Sequence, residues 1–384
     1  MSEVLYYFSL FSFVFAVLLA VDILYGNSTI KRLKNIKPDL PDKPPKVSII
    51  IPCRNEERHI KEALQSVLHL DYPNYEIIVI NDRSTDNTGK ILEELSAEYP
   101  ALKIFYINEL PSGWLGKNYA LYFGANRAKG ELLLFTDADI VYKKDSLSRA
   151  VSYLIKNNID HLALTADIIM PNIIMNMFTG AFIVFFSIFA RPWKAKDSKS
   201  KRFIGIGAFN LVKKDAYEKA GTHNRIAMRP DDDIKLGKII KLSGFKQELL
   251  FGKDMLRVNW YNSVEELVQG MEKNGFSGIE YNILSTFWSA VSLLLFFVFP
   301  FIAVFITTGM TQVLFLGIVI ILFIIYSFSA KDQNLNPLYC LGFPIATLIF
   351  IYIIERSAFM TLKNGGIMWR DTFYPLKELK SNKV

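Results

Sequence analysis

The strongest constraint on this chain is where its apolar residues lie: long uninterrupted runs stand at the two ends, with a mixed segment between. Val4 to Tyr25 is apolar for about 22 positions apart from two serines and Asp22, enough at ~1.5 Å per residue to cross a hydrocarbon core of about 30 Å. Leu284 to Ile306 and Gln312 to Ala330 form two more such runs, and Leu338 to Ile354 a shorter third containing Pro344. With 51% apolar residues, 14% aromatic and 30 Phe, the chain is too apolar for a surface wholly in water, so a membrane is implied. The first run follows Glu3 and precedes Lys31, Arg32, Lys34 and Lys37; it reads as a spanning helix rather than a cleavable signal, with the following segment in the cytosol.

The charge balance, 44 Lys and Arg against 37 Asp and Glu, leaves +7, which suits an anionic lipid face or a phosphate-bearing ligand. It is too small an excess to argue for nucleic acid. The two cysteines, Cys53 and Cys340, are isolated, which excludes a disulfide framework or thiolate metal site and fits a reducing compartment. Asn27-Ser-Thr29 matches a glycosylation acceptor, but at the cytosolic end of the first run it is not expected to be used.

From Lys46 to about Trp260 the pattern changes to that of a water-facing α/β unit. Val47 to Ile51, Glu76 to Ile80, Leu102 to Ile107 and Leu132 to Thr136 read as buried parallel strands; Glu56 to His69, Asp86 to Glu98, Lys117 to Ala128 and Asp145 to Lys156 read as the intervening helices. The expected fold class is α/β with a doubly wound, mostly parallel sheet, flanked by transmembrane helices. The boundaries are residues 1–30 for the first span, 46–260 for the α/β domain, 261–283 for an interfacial or linker segment, 284–356 for the last spans and 357–384 for a basic tail. Ile173 to Ala190 is apolar enough to span, yet Asn176 and the preceding Pro171-Asn172 favour a helix lying along the membrane surface. Three spans after a cytosolic domain conflict with the cations of the tail, so the short Pro-bearing run is expected to be re-entrant or interfacial.

Polar groups cluster where the predicted strands end, the edge at which open α/β sheets bind ligands. The first strand ends in Pro52-Cys-Arg-Asn-Glu-Glu57 and the second in Asn81-Asp-Arg-Ser-Thr-Asp86. These suit a base and ribose, or alternatively place Asn55 and Ser84 or Thr85 as helix caps. The third runs into Asp137-Ala-Asp139, two carboxylates able to share Mg²⁺ or Mn²⁺ with a diphosphate. Gly113-Trp-Leu-Gly-Lys-Asn118 brings Lys117 to a helix start, where a phosphate is favoured, although the spacing is not that of a Walker loop. Arg229-Pro-Asp-Asp-Asp-Ile-Lys-Leu236 crowds three carboxylates, of which at least one should have the raised pKa that a general base needs. Gly365-Gly-Ile-Met-Trp-Arg-Asp-Thr-Phe-Tyr-Pro375 is either an interfacial aromatic anchor or a fold-back that sets Arg370 over a phosphate. The four histidines show no ligand spacing.

Taken together, Ser48-Ile-Ile-Ile-Pro-Cys-Arg-Asn-Glu56, Ile80-Asn-Asp-Arg-Ser-Thr-Asp86, Gly113-Trp-Leu-Gly-Lys117, Thr136-Asp-Ala-Asp139, Asp232-Asp-Ile-Lys-Leu236 and the Trp-Arg tail resemble the inverting family 2 glycosyltransferases of GT-A fold. The likeness is to the membrane-anchored group that includes bacterial carotenoid, ceramide and hopanoid-associated glucosyltransferases. It implies that Pro52, Arg54, Asn55, Glu56 and Asp82 hold the nucleoside of a nucleotide sugar, such as a UDP-sugar, and that Lys117 approaches the donor. It implies a metal site at Asp137 and Asp139, Asp139 being the more direct ligand. Asp233 takes the place of the catalytic base, Asp232 standing where the family has Glu and Asp231 leaving the register open by one. The processive members carry Gln-x-x-Arg-Trp after the base, whereas this chain has Gln269-Gly-Met-Glu-Lys-Asn-Gly275, so a single transfer is expected, with Lys273 or Arg370 neutralising diphosphate.

The expected protein is a multi-pass cell-membrane enzyme with a cytoplasmic catalytic domain, moving one sugar to a lipid hydroxyl with metal assistance. A transferase charging polyprenyl phosphate is the near alternative and a non-enzymatic nucleotide-binding scaffold the far one. A transporter is disfavoured, because residues 284–330 contain no ionisable group of the kind transport pathways use.

Overall fold

The computed structural model describes residues 2–384, which fall into two units. One comprises the chain up to Thr29, Ile169–Arg191 and Trp260–Ile367; the other comprises Ile30–Ile168, Pro192–Asn259 and Met368–Val384.

The second unit is built on β1 (Val47–Cys53), β2 (Tyr75–Asp82), β3 (Leu102–Ile107), β4 (Leu132–Phe135), β6 (His161–Leu164), β8 (Asn210–Lys213) and β9 (Gln247–Leu250), in the order β3-β2-β1-β4-β8-β6-β9. Neighbouring strands of this sheet are parallel except for β8, which runs against β4 and β6, so the mostly parallel α/β expectation holds. Side chains alternate across a strand, and the strand sequences use both faces. Ile49, Ile51, Ile77 and Val79 point into a core closed by α2 (Ile60–Leu68), α3 (Thr88–Glu98) and α5 (Ser146–Lys156), which contribute Leu64, Leu92 and Leu154. Ile50, Ile78 and Ile80 point the other way, towards Leu121 of α4 (Gly116–Ala125) and Leu236 and Ile239 of α8 (Asp232–Leu242). Continuous β-branched runs are what a sheet covered on both faces requires. A smaller sheet sets β10 (Leu256–Asn259) between β5 (Ile140–Tyr142) and β7 (Asp167–Ile169).

The predicted strand positions agree with these elements, but α2 starts four residues later than its periodicity suggested, at Ile60. Asn55 has a left-handed backbone with φ of 55° and breaks the helical run before it begins.

The first unit consists of helices: α1 (Ser2–Ser28), α6 (Ile173–Ala190), α9 (Val264–Gly275), α10 (Ile283–Leu293), α11 (Phe299–Ile306), α12 (Gly309–Ala330) and α13 (Phe343–Lys363). A π-helical stretch, Leu294–Val298, joins α10 to α11 immediately before Pro300, whose ring cannot complete the regular ladder. Among the described residues, five helical stretches are long and apolar enough to cross a membrane: Glu3–Ser28, Ile173–Lys194, Ile283–Ile306, Gly309–Gln333 and Pro337–Lys363. The Pro-bearing run is therefore longer than the sequence pattern indicated, because Pro344 sits in the first turn of α13, where its missing N–H is harmless. The 261–283 segment is no plain linker, since α9 packs along α13. Asp22, the one carboxylate in the first apolar run, meets Arg191 at 3.2 Å. The chain leaves the sheet unit before α6 and returns to it after Arg191, and it returns again at Met368 to form β11 (Gly366–Trp369), β12 (Thr372–Pro375) and α14 (Leu376–Ser381).

One buried carboxylate ties the sheet together. Glu76 on β2 accepts from Ser48 Oγ of β1 at 2.7 Å and from the Lys129 N–H at 2.7 Å, and it pairs with Lys103 of β3. Burial alone would push its pKa up, but the bonds from Lys103, Ser48 and Lys129 outweigh it and bring the value down to about 2. A carboxylate depressed in the folded state stabilises above its unfolded pKa of about 4.3, and that stability is lost as pH falls towards 2. Glu76→Gln should therefore lower unfolding stability by ~1–3 kcal/mol at pH 7 and flatten the loss of stability between pH 4.5 and 2. Thermal unfolding against pH tests this, and an unchanged acid limb counts against it.

Candidate active site

The carboxyl edge of the sheet collects the polar side chains. β4 ends at Phe135 and releases Thr136 to Asp139 into a turn; α4 begins at Gly116 and α8 at Asp232, both directing their first residues to the same place. Lys117, Asp137, Asp232 and Asp233 line one small cavity together with Thr136, Gly207 and His223. Lys117 Nζ lies 2.7 Å from Asp137 Oδ1 and 3.4 Å from Asp232 Oδ1. Burial works against its charge, but Asp137, Asp232 and Asp233 overcome it and raise its pKa well above the ordinary lysine range. The lysine is thus the counter-ion of the acidic cluster, a duty that its position at a helix start did not reveal.

Gly207 joins the two halves of the cluster. Its carbonyl accepts the Asp137 N–H at 3.1 Å and its own N–H donates to Asp233 Oδ2 at 2.8 Å. A Cβ there would stand 2.5 Å from Asp137 Oδ2, so any larger residue would push the Asp137 carboxylate from its place. The Ile234 N–H donates to Asp233 Oδ1 at 2.7 Å, so both oxygens of Asp233 are oriented. Burial raises the Asp233 pKa; Lys117 and the two amides oppose this without cancelling it. Asp231 is separate: it takes two hydrogen bonds from buried Arg229, at 3.0 and 3.1 Å, and lies 3.6 Å from Lys235. The three consecutive aspartates therefore divide between an internal ion pair, Asp231, and the cavity, Asp232 and Asp233.

Asp139 has its pKa raised to about 7 by burial first, then by Asp137 and Glu56. Its Oδ1 is buried without a hydrogen-bond partner. Among the described residues no group of three or more His, Cys, Asp or Glu is arranged to hold a metal. The protein thus offers two carboxylates, Asp137 and Asp139, which fits Mg²⁺ or Mn²⁺ when donor phosphates and water supply the remaining ligands.

The other predicted residues stand along the same edge. Arg370 donates to the Arg54 carbonyl at 2.7 Å and pairs with Glu56, so the tail folds back rather than ending as a free anchor. Tyr374, four residues on, accepts from the Gly116 N–H at 3.2 Å. Asp82 is clasped by Arg83 through Nε at 2.7 Å and Nη2 at 3.1 Å. Asn55 caps no helix: its Oδ1 accepts from the Thr85 N–H at 2.8 Å and its N–H donates to Ser84 Oγ at 3.1 Å, knitting the first strand's loop to the second's. Glu56 adds a bond from its N–H to Thr88 Oγ1 at 2.8 Å. Pro52 lies within β1, buried, next to the strand's last residue, Cys53. Gly207, Arg83 and Tyr374 were not singled out from the sequence; a glycine between apolar residues and a tyrosine in an aromatic tail carry no motif.

Residues 48–221 match the family model Glycosyl transferase family 2. The chain is similar to "Probable glycosyltransferase YdaM" of Bacillus subtilis (strain 168), 40% identical over 113 residues, 29% of this chain and 26% of that protein. It is also similar to "UDP-Glc:alpha-D-GlcNAc-diphosphoundecaprenol beta-1,3-glucosyltransferase WfgD" of Escherichia coli, 32% identical over 168 residues, 43% of this chain and 59% of that protein. The matches thus span less than two thirds of either relative. Among solved structures, mannosyltransferase PcManGT from Pyrobaculum calidifontis, in complex with GDP-Man and Mn²⁺, has a TM-score of 0.52 at 17% identity, covering 91% of this chain and 98% of that one. At that identity the likeness is one of fold.

An aspartate whose folded pKa lies above its unfolded value destabilises once pH exceeds about 3.9, increasingly until pH passes 7. Asp139→Asn should therefore raise the unfolding midpoint of the ligand-free protein at pH 8, by ~1–3 kcal/mol in stability, and leave it little changed at pH 4. A midpoint at or below wild type at pH 8 contradicts the assigned environment.

Proposed function

From a chain that carries a family 2 glycosyltransferase domain on the GT-A fold, we propose an enzyme that moves one sugar from a nucleotide-sugar donor to the hydroxyl of a membrane lipid, with inversion at the anomeric carbon. The observation that carries this reading is the placement of Asp233 beside Asp137, with both oxygens oriented and its pKa raised. A neutral hydroxyl needs a positioned base of raised pKa to become a nucleophile.

In this reading Asp233 takes the proton of the acceptor hydroxyl as its oxygen bonds to the anomeric carbon, and the bond from that carbon to the diphosphate breaks on the opposite face. A divalent cation held by Asp137 and Asp139 would neutralise charge developing on the leaving diphosphate. Lys117 pairs with Asp137 and Asp232 and holds both carboxylates in place. Glu56, Asp82 and Arg83 form the nucleoside edge, and Arg370 brings a guanidinium to it from the tail.

The lipid acceptor is supported by the apolar helices and by the lipid-linked acceptor for which the relative WfgD is named. Connectivity supports a placement in which the sheet unit stays on the cytoplasmic face of the cell membrane. Both flanks of α6 belong to that unit, so a full crossing would set strands of one sheet on opposite sides of the bilayer; α6 is read as lying along the surface. The tail also belongs to that unit, which requires an even number of crossings between Trp260 and Met368, so one of the last three helices does not cross.

The test uses the full chain in lipid nanodiscs with UDP- and GDP-sugars and a bacterial lipid extract, following nucleoside diphosphate release and new glycolipid by mass spectrometry. Chelation of divalent cations, Asp139→Ala and Asp233→Asn should each reduce turnover by about 100-fold or more. Full turnover in Asp233→Asn would instead favour an acceptor such as polyprenyl phosphate, already ionised and needing no base.

A further inference from the structure

Residues 201–206 belong to neither helix nor strand, yet Gly207, immediately after them, holds Asp137 and Asp233 together. Backbone groups in a buried irregular segment must find partners elsewhere. Here they find side chains. The Ile204 N–H donates to Gln247 Oε1 at 2.7 Å, and the Ile206 N–H donates to Asn210 Oδ1 at 3.1 Å.

Those two side chains meet at a third. His161, on β6 between β8 and β9, lies 3.0 Å through Nε2 from Asn210 Oδ1 and 2.7 Å through Nδ1 from Gln247 Nε2. Since Asn210 Oδ1 can only accept, Nε2 carries the proton and Nδ1 accepts from Gln247. The remaining Gln247 proton goes to the Gly237 carbonyl of α8 at 3.0 Å. Both ring nitrogens of His161, both ends of the Gln247 amide and Asn210 Oδ1 are thus matched, and all three side chains are buried, with His161 at 0% exposure. Burial also keeps the imidazole neutral by lowering its pKa to about 4. The segment it holds lies against α8 at backbone distance: a Cβ on Gly205 would stand 1.8 Å from the Asp233 carbonyl.

We infer that His161, Asn210 and Gln247 are positioning residues for transfer: through Ile204–Gly207 they fix the Gly207 peptide, and through it the spacing of Asp233 from Asp137. None of the three lines the cavity except Asn210, at its wall. His161 is the member through which the other two are oriented, although its sequence context shows no ligand or catalytic spacing. The inference rests on the assignment of Asp233 as base.

Three measurements on the full chain in nanodiscs test it. Hydrogen exchange on the wild type should show the Ile204, Ile206 and Gly207 amides protected to the level of neighbouring strand amides. Free exchange there overturns the inference without any variant. His161→Leu, which keeps the volume but orients neither neighbour, should lower kcat at least tenfold while the donor KM stays within about twofold. His161→Gln, able to donate at one end of its amide and accept at the other, should restore most of that loss. A simple structural role would lower the folded fraction and leave kcat per folded molecule unchanged; that result, or equal kcat loss in both variants, overturns the inference. Should His161→Leu not fold, Gln247→Met is read by the same ratio, and an unchanged kcat there is again decisive against it. Asp233→Asn is the control: if it keeps turnover, the base assignment has failed, whereas if it is inactive and His161→Leu is fully active, only the positioning role has failed.

Discussion

One lysine among three aspartates is the interaction on which the rest depends. Unit charges about 4 Å apart near a protein surface interact by roughly 4 kcal/mol, so Asp137, Asp232 and Asp233 could not share a cavity ionised without Lys117 in it. The lysine does not remove the strain altogether. Asp233 and Asp139 remain above the ordinary carboxylate range because burial outweighs what the nearby cation and amides return. A site so arranged is unfavourable for folding and favourable for binding a cation and accepting a proton, a familiar opposition between stability and function.

The scaffold carries this by backbone rather than by side-chain bulk. β4 delivers the Asp137 turn, α4 delivers Lys117 and α8 delivers Asp232 and Asp233, but the alignment among them passes through the Gly207 peptide. Behind that peptide, the Ile204 and Ile206 amides are held by Gln247 and Asn210, which His161 joins in a buried hydrogen-bonded set. The opposite end of the same sheet shows the same logic in Glu76, where bonds from three elements hold a buried carboxylate ionised.

The tail adds a second level of control. Arg370 and Tyr374 return to Arg54, Glu56 and Gly116, and Asn382 reaches the Met228 N–H at 2.9 Å and the Arg225 carbonyl at 3.0 Å. Residues after the last long apolar helix thus pack against the loops that follow β1 and β2 and the start of α4.

The sequence by itself determined the fold class, the two kinds of segment and the strand ends that carry carboxylates, because these follow from hydrophobic period and from which residue types end a strand. Val47 to Ile51 and Asp137-Ala-Asp139 are legible locally; no distant residue is needed to read them. The resemblance led further, to the expectation that Asp232 or Asp233 works beside the Asp137-Ala-Asp139 turn, and the structure sets both in one cavity with Asp137. Only the tertiary structure decided that Lys117 serves the carboxylates, that Asp231 turns away to Arg229, that Asn55 knits loops and that Gly207 and His161 matter. Apart from Asp231, whose partner Arg229 is two residues away, those roles are set by partners about 20 to 120 positions apart, and short-range pattern contains no information about which distant groups will meet.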